Sequence, residues 1–146
     1  MNKTLILGIA ATALLSACTT MGERTFAFTH TASPADPQAT GSARAVSMMN
    51  GMTETTLNLT GLTPGKTYAA HYHAFGPDSS TNPCASNGGV TAGFPNFTAD
   101  GTGKATVTMT TETSKIAGDA GAYINVHYAD NLATVPVCAP IKMNKG

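Results

Sequence analysis

The 146-residue chain has no tryptophan, and charged side chains make up only 11% of it. Lysine plus arginine number 8, as do aspartate plus glutamate, so neither sign prevails and the formal net charge is zero. Without Lys3, which lies in a segment expected to be removed, the balance is 7 against 8. A basic surface able to neutralise a run of phosphates is therefore missing, which argues against a nucleic-acid binder. Low charge beside 42% apolar residues argues against charge-driven disorder. Downstream of residue 20 no long stretch keeps a 3.6-residue apolar period, so a helical bundle is not expected. Repeats and low-complexity tracts are also missing, and the length suits one ordinary domain.

The chain opens like an export address. Met1-Asn2-Lys3 is a short positive start, and the apolar stretch 4–14 is too short to span a bilayer but suits the core of a signal peptide. Leu15-Ser16-Ala17-Cys18 then matches the bacterial lipobox, in which the cysteine is lipidated and becomes the new N-terminus. An ordinary secretory signal cut nearby is the alternative. Two or more acyl chains bury enough CH₂ groups to hold a protein on a membrane, at about 0.8 kcal/mol per group. Thr19, rather than Asp, follows the cysteine, which points to the outer membrane, facing the periplasm. The expected division is a signal peptide over 1–17, a lipidated Cys18 with a short tether to 23, and a β domain over 24–146.

Three cysteines are an odd number for an exported protein. With Cys18 lipidated, Cys84 and Cys138 remain as a pair in an oxidising compartment. A bridge between them closes a loop of about 54 residues, worth around 4 kcal/mol on the chain-entropy account. The alternative is two thiols serving as metal ligands.

Short alternating segments fill the remainder. Arg24–Thr29 places Phe26 and Phe28 on one face. Ala43–Met49 and Thr53–Leu59 flank Asn50-Gly51, a hairpin signal. Thr67–Phe75, Lys104–Thr110, Ala122–Tyr128 and Val135–Ile141 read as further strands, with a long Gly/Asn/Ser/Pro loop from Gly76 to Gly93. Strands at roughly ten-residue spacing with polar turns predict an all-β sandwich or barrel.

Within Thr67–Phe75, the period of two puts His71 and His73 on one face and Tyr72 on the other. Ile124, Val126 and Tyr128 share an apolar face, so His127 points away from the core beside Asn125. Three outward imidazoles, two on one strand and one on another, can form a three-nitrogen site. Neutral imidazoles suit copper, zinc or nickel, and T-shaped or tetragonal nitrogen ligation favours copper. Three surface histidines without a shared ligand are the alternative. His30 continues the Phe26/Phe28 face and reads as a strand-end residue rather than a fourth ligand. Met48, Met49 and Met52 cluster at the hairpin; packing is the favoured reading over soft donation to Cu(I).

From Ser42 to Ile141 the order of motifs resembles the Cu/Zn superoxide dismutase family. The stretch Gly61-Leu-Thr-Pro-Gly65 with His71-Tyr-His73-Ala-Phe-Gly76 is similar to its turn and first copper strand; Cys84-Ala-Ser-Asn-Gly-Gly89 to its disulfide loop; Ile124-Asn-Val-His127 to the strand of its last copper histidine; and Val137-Cys-Ala-Pro-Ile141 to its closing cysteine segment. The Tyr123–His127 wording also resembles the CHRD domain. The resemblance implies a Greek-key β-sandwich or barrel, copper on His71, His73 and His127, and a Cys84–Cys138 disulfide. Departures are equally specific. Val90 stands where the family has its bridging histidine, and no zinc ligands follow, so no zinc is expected. Val135 replaces the arginine that attracts superoxide, and only ten residues, Tyr128 to Val137, separate His127 from Cys138, which leaves little room for a charged guiding loop. The expected function is copper binding in the envelope, for buffering, delivery or tolerance. A copper-only dismutase and a metal-free structural or adhesion module are the alternatives.

Overall fold

In the computed structural model, which describes residues 20–117 and 121–143, about half of the described residues form antiparallel strands. These are β1 (Thr20–His30), β2 (Thr40–Met48), β3 (Met52–Thr60), β4 (Thr67–Ala74), β5 (Val90–Gly93), β6 (Phe97–Thr98), β7 (Ala105–Glu112), β8 (Ala122–Tyr128) and β9 (Val137–Ile141). Inward and outward residues alternate along β3, buried against exposed, and along β7, half-buried against exposed, as a sheet with one solvated face requires. The hairpin at residues 49–51 is closed by Gly51 N–H donating to the Met48 carbonyl at 3.2 Å. Gly51 then takes φ 77°, a left-handed conformation that glycine adopts without a steric penalty.

The strand order is β5-β4-β8-β9-β1-β2-β3-β7, with β6 also on the edge of β4. One layer is β1-β2-β3-β7 and the other is β9-β8-β4 with β5 and β6. β1 joins them: its residues as far as Phe28 pair with β2, while Thr29 and His30 pair with β9. The chain changes layer between β3 and β4, between β6 and β7, and again between β7 and β8, so the pairs β3–β7, β4–β8 and β1–β9 are neighbours in space but not in sequence. That is Greek-key connectivity in a nearly closed sandwich.

The core lies between the layers. Leu57 and Leu59 face Tyr68, Tyr72, Ile124, Val126, Val137 and Ile141 across it, all of them buried. Tyr72 is sealed inside with its hydroxyl 2.8 Å from Thr55 Oγ1, and burial pushes its phenol up to about 12, so it stays neutral at any working pH. The β3–β4 crossover is held by a buried carboxylate: Asp36 accepts hydrogen bonds from Tyr68 Oη at 2.6 Å, Thr63 Oγ1 at 2.5 Å and the Thr63 amide at 3.1 Å. Burial and the Asp36 carboxylate raise the Tyr68 phenol still further than Tyr72.

Several boundaries differ from expectation. β1 begins at Thr20, four residues before Arg24, because β2 offers it backbone partners as far as Met48. Most of the expected tether 18–23 is thus strand; the expected signal segment and Cys18 lie outside the described residues. The long loop ends at Gly89, not Gly93: Val90–Gly93 is a strand, pairing with the outer edge of β4. Cys84 and Cys138 do form a disulfide, with Cα atoms 6.1 Å apart. It ties the loop after β4 to β9.

That bridge closes a loop of 54 residues. The Cys84→Ser/Cys138→Ser double variant should lose around 4 kcal/mol of stability on the chain-entropy account, read as a lower urea midpoint. An unchanged midpoint would mean that the reduced chain retains the same order when unfolded.

Candidate functional site

The β4–β8 register builds the site. Seven consecutive pairs run from Tyr68↔Tyr128 to Ala74↔Ala122. Tyr68, Ala70, Tyr72, Ile124 and Val126 point into the core, so Ala69, His71, His73, Tyr123, Asn125 and His127 share the opposite face. His73 pairs with Tyr123, His71 with Asn125, and Ala69 with His127. His71 and His127 are therefore diagonal neighbours. The three imidazoles form a near-regular triangle, with ring centroids 5.2 Å apart for His71–His127, 5.9 Å for His73–His127 and 6.2 Å for His71–His73. One nitrogen from each lies within 4.8 Å of the others.

The expectation that His127 points away from the core holds, but the residue is not at the surface. His73 and His127 are only 9% and 6% exposed, and His71 is half-buried. Two loops cover them. After β8 the chain folds straight back: Tyr128 N–H donates to Thr134 O at 3.1 Å, and Lys66 secures the turn by pairing with Asp130 at 3.1 Å and sitting 4.0 Å over the Tyr128 ring. This brings the Leu132 carbonyl to 2.6 Å from His127 Nδ1.

The second loop follows β4. Ser86, fully buried, donates to Pro83 O at 2.5 Å and accepts from Gly76 N–H at 2.9 Å, while Ala74 N–H donates to Gly89 O at 2.9 Å. The loop therefore presents the Gly88 carbonyl at 2.8 Å from His73 Nδ1. Tyr123 stacks on the His73 ring, with centroids 4.8 Å apart and planes 11° from parallel. Its hydroxyl accepts from the Gly88 amide at 2.8 Å and reaches the Gly88 carbonyl at 3.2 Å. Only glycine fits at 88, because a Cβ there would lie 1.7 Å from the Ala74 carbonyl oxygen.

A carbonyl oxygen only accepts, so Nδ1 of both His73 and His127 must carry a proton. In the neutral ring Nε2 is then a bare lone pair. Those two Nε2 atoms are buried without a hydrogen-bond partner among the described residues, as is Asn125 Oδ1. Buried acceptors without donors are costly. A backbone carbonyl on the far nitrogen is also how metal-binding imidazoles are commonly oriented. With three imidazoles and no thiolate or carboxylate, the donor set fits a nitrogen-preferring transition metal: copper, zinc or nickel. His30 is not part of the cluster; its Nε2 lies 3.0 Å from Ala35 O.

The supporting groups were not singled out from sequence. Gly88 and Leu132 act through backbone atoms, which leave no residue signature. Tyr123 and Asn125 do leave one, since they share the alternation of His127 along β8.

Burial, followed by the neighbouring His73, lowers the pKa of His71. Burial also lowers that of His127, against the Leu132 hydrogen bond, with His71 and His73 adding to the lowering. A depressed histidine pKa means that the unfolded chain takes up protons which the folded chain refuses. The stabilisation is complete above pH 6.5 and is lost as pH falls through the folded values. Metal-free protein should therefore melt lower at pH 5.5 than at 7.5, and a His71→Gln/His127→Gln variant should narrow that gap. A second expectation concerns Gly88→Ala, which must push the loop off Ala74. Stability should fall by about 1–3 kcal/mol. In ¹⁵N spectra His73 should lose its Nδ1-protonated signature while His127 keeps it; retention at both would show that the loop shifts without freeing the ring.

A family model of the CHRD domain matches residues 25–133, a span that holds the three histidines of the cluster and Cys84 but stops short of Cys138 and β9. A search of curated proteins finds no match. With most of its length matched, and with the all-β architecture described above, the chain belongs to the CHRD domain family.

Proposed function

We propose that this protein is an envelope lipoprotein that binds copper through His71, His73 and His127, for copper buffering, delivery or tolerance. The observation that carries the proposal is the pair of buried, unpartnered Nε2 atoms on His73 and His127, each set by an Nδ1–H donated to a loop carbonyl. Nitrogen-only ligation favours copper among the metals that fit. The resemblance to Cu/Zn superoxide dismutases in the order of the motifs from Ser42 to Ile141 supports the same metal on the same three histidines. Zinc is disfavoured as a second metal because Val90 stands where a bridging histidine would be, and its side chain is solvent-exposed beside β4. Membrane attachment rests on Leu15–Cys18; no helix among the described residues is long and apolar enough to cross a membrane.

Copper would supply a one-electron couple. The half-exposed His71 ring leaves one side of the cluster open to a small solute, which favours superoxide chemistry as a second reading. Val135 in place of an arginine and the short β8–β9 connection weigh against a fast dismutase, since electrostatic steering is worth 10–10³ in on-rate.

Metal analysis of protein exported to the periplasm and reloaded with copper or zinc tests the proposal. One equivalent of copper and no zinc is expected, with copper lost in His71→Ala/His73→Ala/His127→Ala. Equal metal content in the two proteins would sink the proposal and leave a structural or adhesion module. Superoxide removal by the copper-loaded protein, compared with free copper, then separates carrier from enzyme.

A further inference from the structure

Far from the histidines, at the end of the first layer, a cavity of about 1090 Å³ opens between the β2–β3 hairpin, the start of β1 and the chain end after β9. Met48, Met49, Met52 and Met143 all line it. The chain has 7 methionines in all, so more than half of them meet at one cavity. The favoured expectation for the hairpin methionines is packing, and the structure departs from it at Met49, which is 66% exposed. Met48 and Met52 are half-buried, and Met143 packs in part against the core.

We infer that this cavity is a soft-metal site, in which thioether sulfurs of Met48, Met49, Met52 and Met143 bind monovalent copper. Met48 and Met52 occupy the position next beyond the Ser47↔Thr53 pair, which makes them cross-strand neighbours with Cβ atoms about 4.5–5.5 Å apart. Each side chain has three rotatable bonds, so the sulfurs can converge on one ion from flexible stems. Thioethers are soft, uncharged donors, and among biological metals they select Cu(I) over Cu(II) and zinc. The charged side chains that line the cavity are Glu23, Arg24 and Glu112. Glu23 is paired with Arg44 and Glu112 with Lys115, so carboxylate charge adds no attraction for a cation and binding rests on the thioethers. Binding here is simple ligation, with no change of oxidation state, and it does not depend on the histidine cluster. A two-site protein would hold both oxidation states of one metal, each on donors suited to it.

Anaerobic titration of the mature chain with Cu(I) against a chromogenic competitor, together with X-ray absorption, tests this. The wild-type protein should take up a Cu(I) ion with sulfur neighbours. Met48→Leu/Met49→Leu/Met52→Leu/Met143→Leu, which roughly conserves volume, should lose that ion and its sulfur scattering while keeping Cu(II) binding unchanged. The smaller Met48→Leu/Met52→Leu variant, included in case the fourfold change disturbs folding, should weaken Cu(I) binding at least tenfold. Redox-inert Ag(I) should shift the methyl NMR signals of the four methionines in wild type. Unchanged Cu(I) affinity in both variants, or absence of sulfur neighbours in the wild type, overturns the inference. The histidine proposal fails separately, through Cu(II) binding that survives loss of the three histidines.

Discussion

Antiparallel pairing of β4 with β8 governs the rest of the molecule, because each strand carries two incompatible sets of side chains. Tyr68, Tyr72, Ile124 and Val126 need an oily interior, and the imidazoles of His71, His73 and His127 need polar partners. A slip of one residue would put each set where the other belongs. Burial of the aromatic and aliphatic set thus holds the histidines in register as a consequence. The triangle of rings is then a by-product of core packing, and it is positioned by the most heavily buried part of the fold.

Register brings the rings together but does not orient them. Orientation comes from the loops after β4 and β8, which each place one carbonyl oxygen behind an imidazole. The first loop is constrained from three directions: the Cys84–Cys138 disulfide to β9, the buried Ser86 hydroxyl within the loop, and Tyr123 from β8. The second is a tight return held by Lys66. Rigid strands fix position, and short braced loops fix direction.

This division explains how much was legible in the residues. The strands from β2 to β4, with β7, β8 and β9, follow from alternation, and so do the parity of the three histidines and the hairpin at Gly51. The disulfide followed from counting three cysteines. By contrast, β5 is four residues of Val-Thr-Ala-Gly beside a Gly-Gly pair, with too few apolar side chains to alternate; only the free edge of β4 makes it a strand. The extra length of β1 at Thr20–Glu23 owes its form to backbone pairing with β2. The burial of His127 was also hidden, because what covers it is a loop packed over the outer face of the sheet. Methionine 49 was misjudged for a related reason: a flexible apolar side chain reads as core wherever it stands, and the hairpin carries it past the end of the sandwich.

The use of backbone carbonyls behind His73 and His127 has a consequence for mutation. Leu132 contributes only its oxygen, and its side chain is 54% exposed. Replacing that side chain leaves the hydrogen-bonding carbonyl in place. Much of the loop sequence around the site is therefore free to drift while the imidazoles keep their orientation. Loop wording in related chains can diverge without any change in what the three rings present, and Gly76 and Gly88, where a Cβ would strike backbone, are positions where such drift must stop.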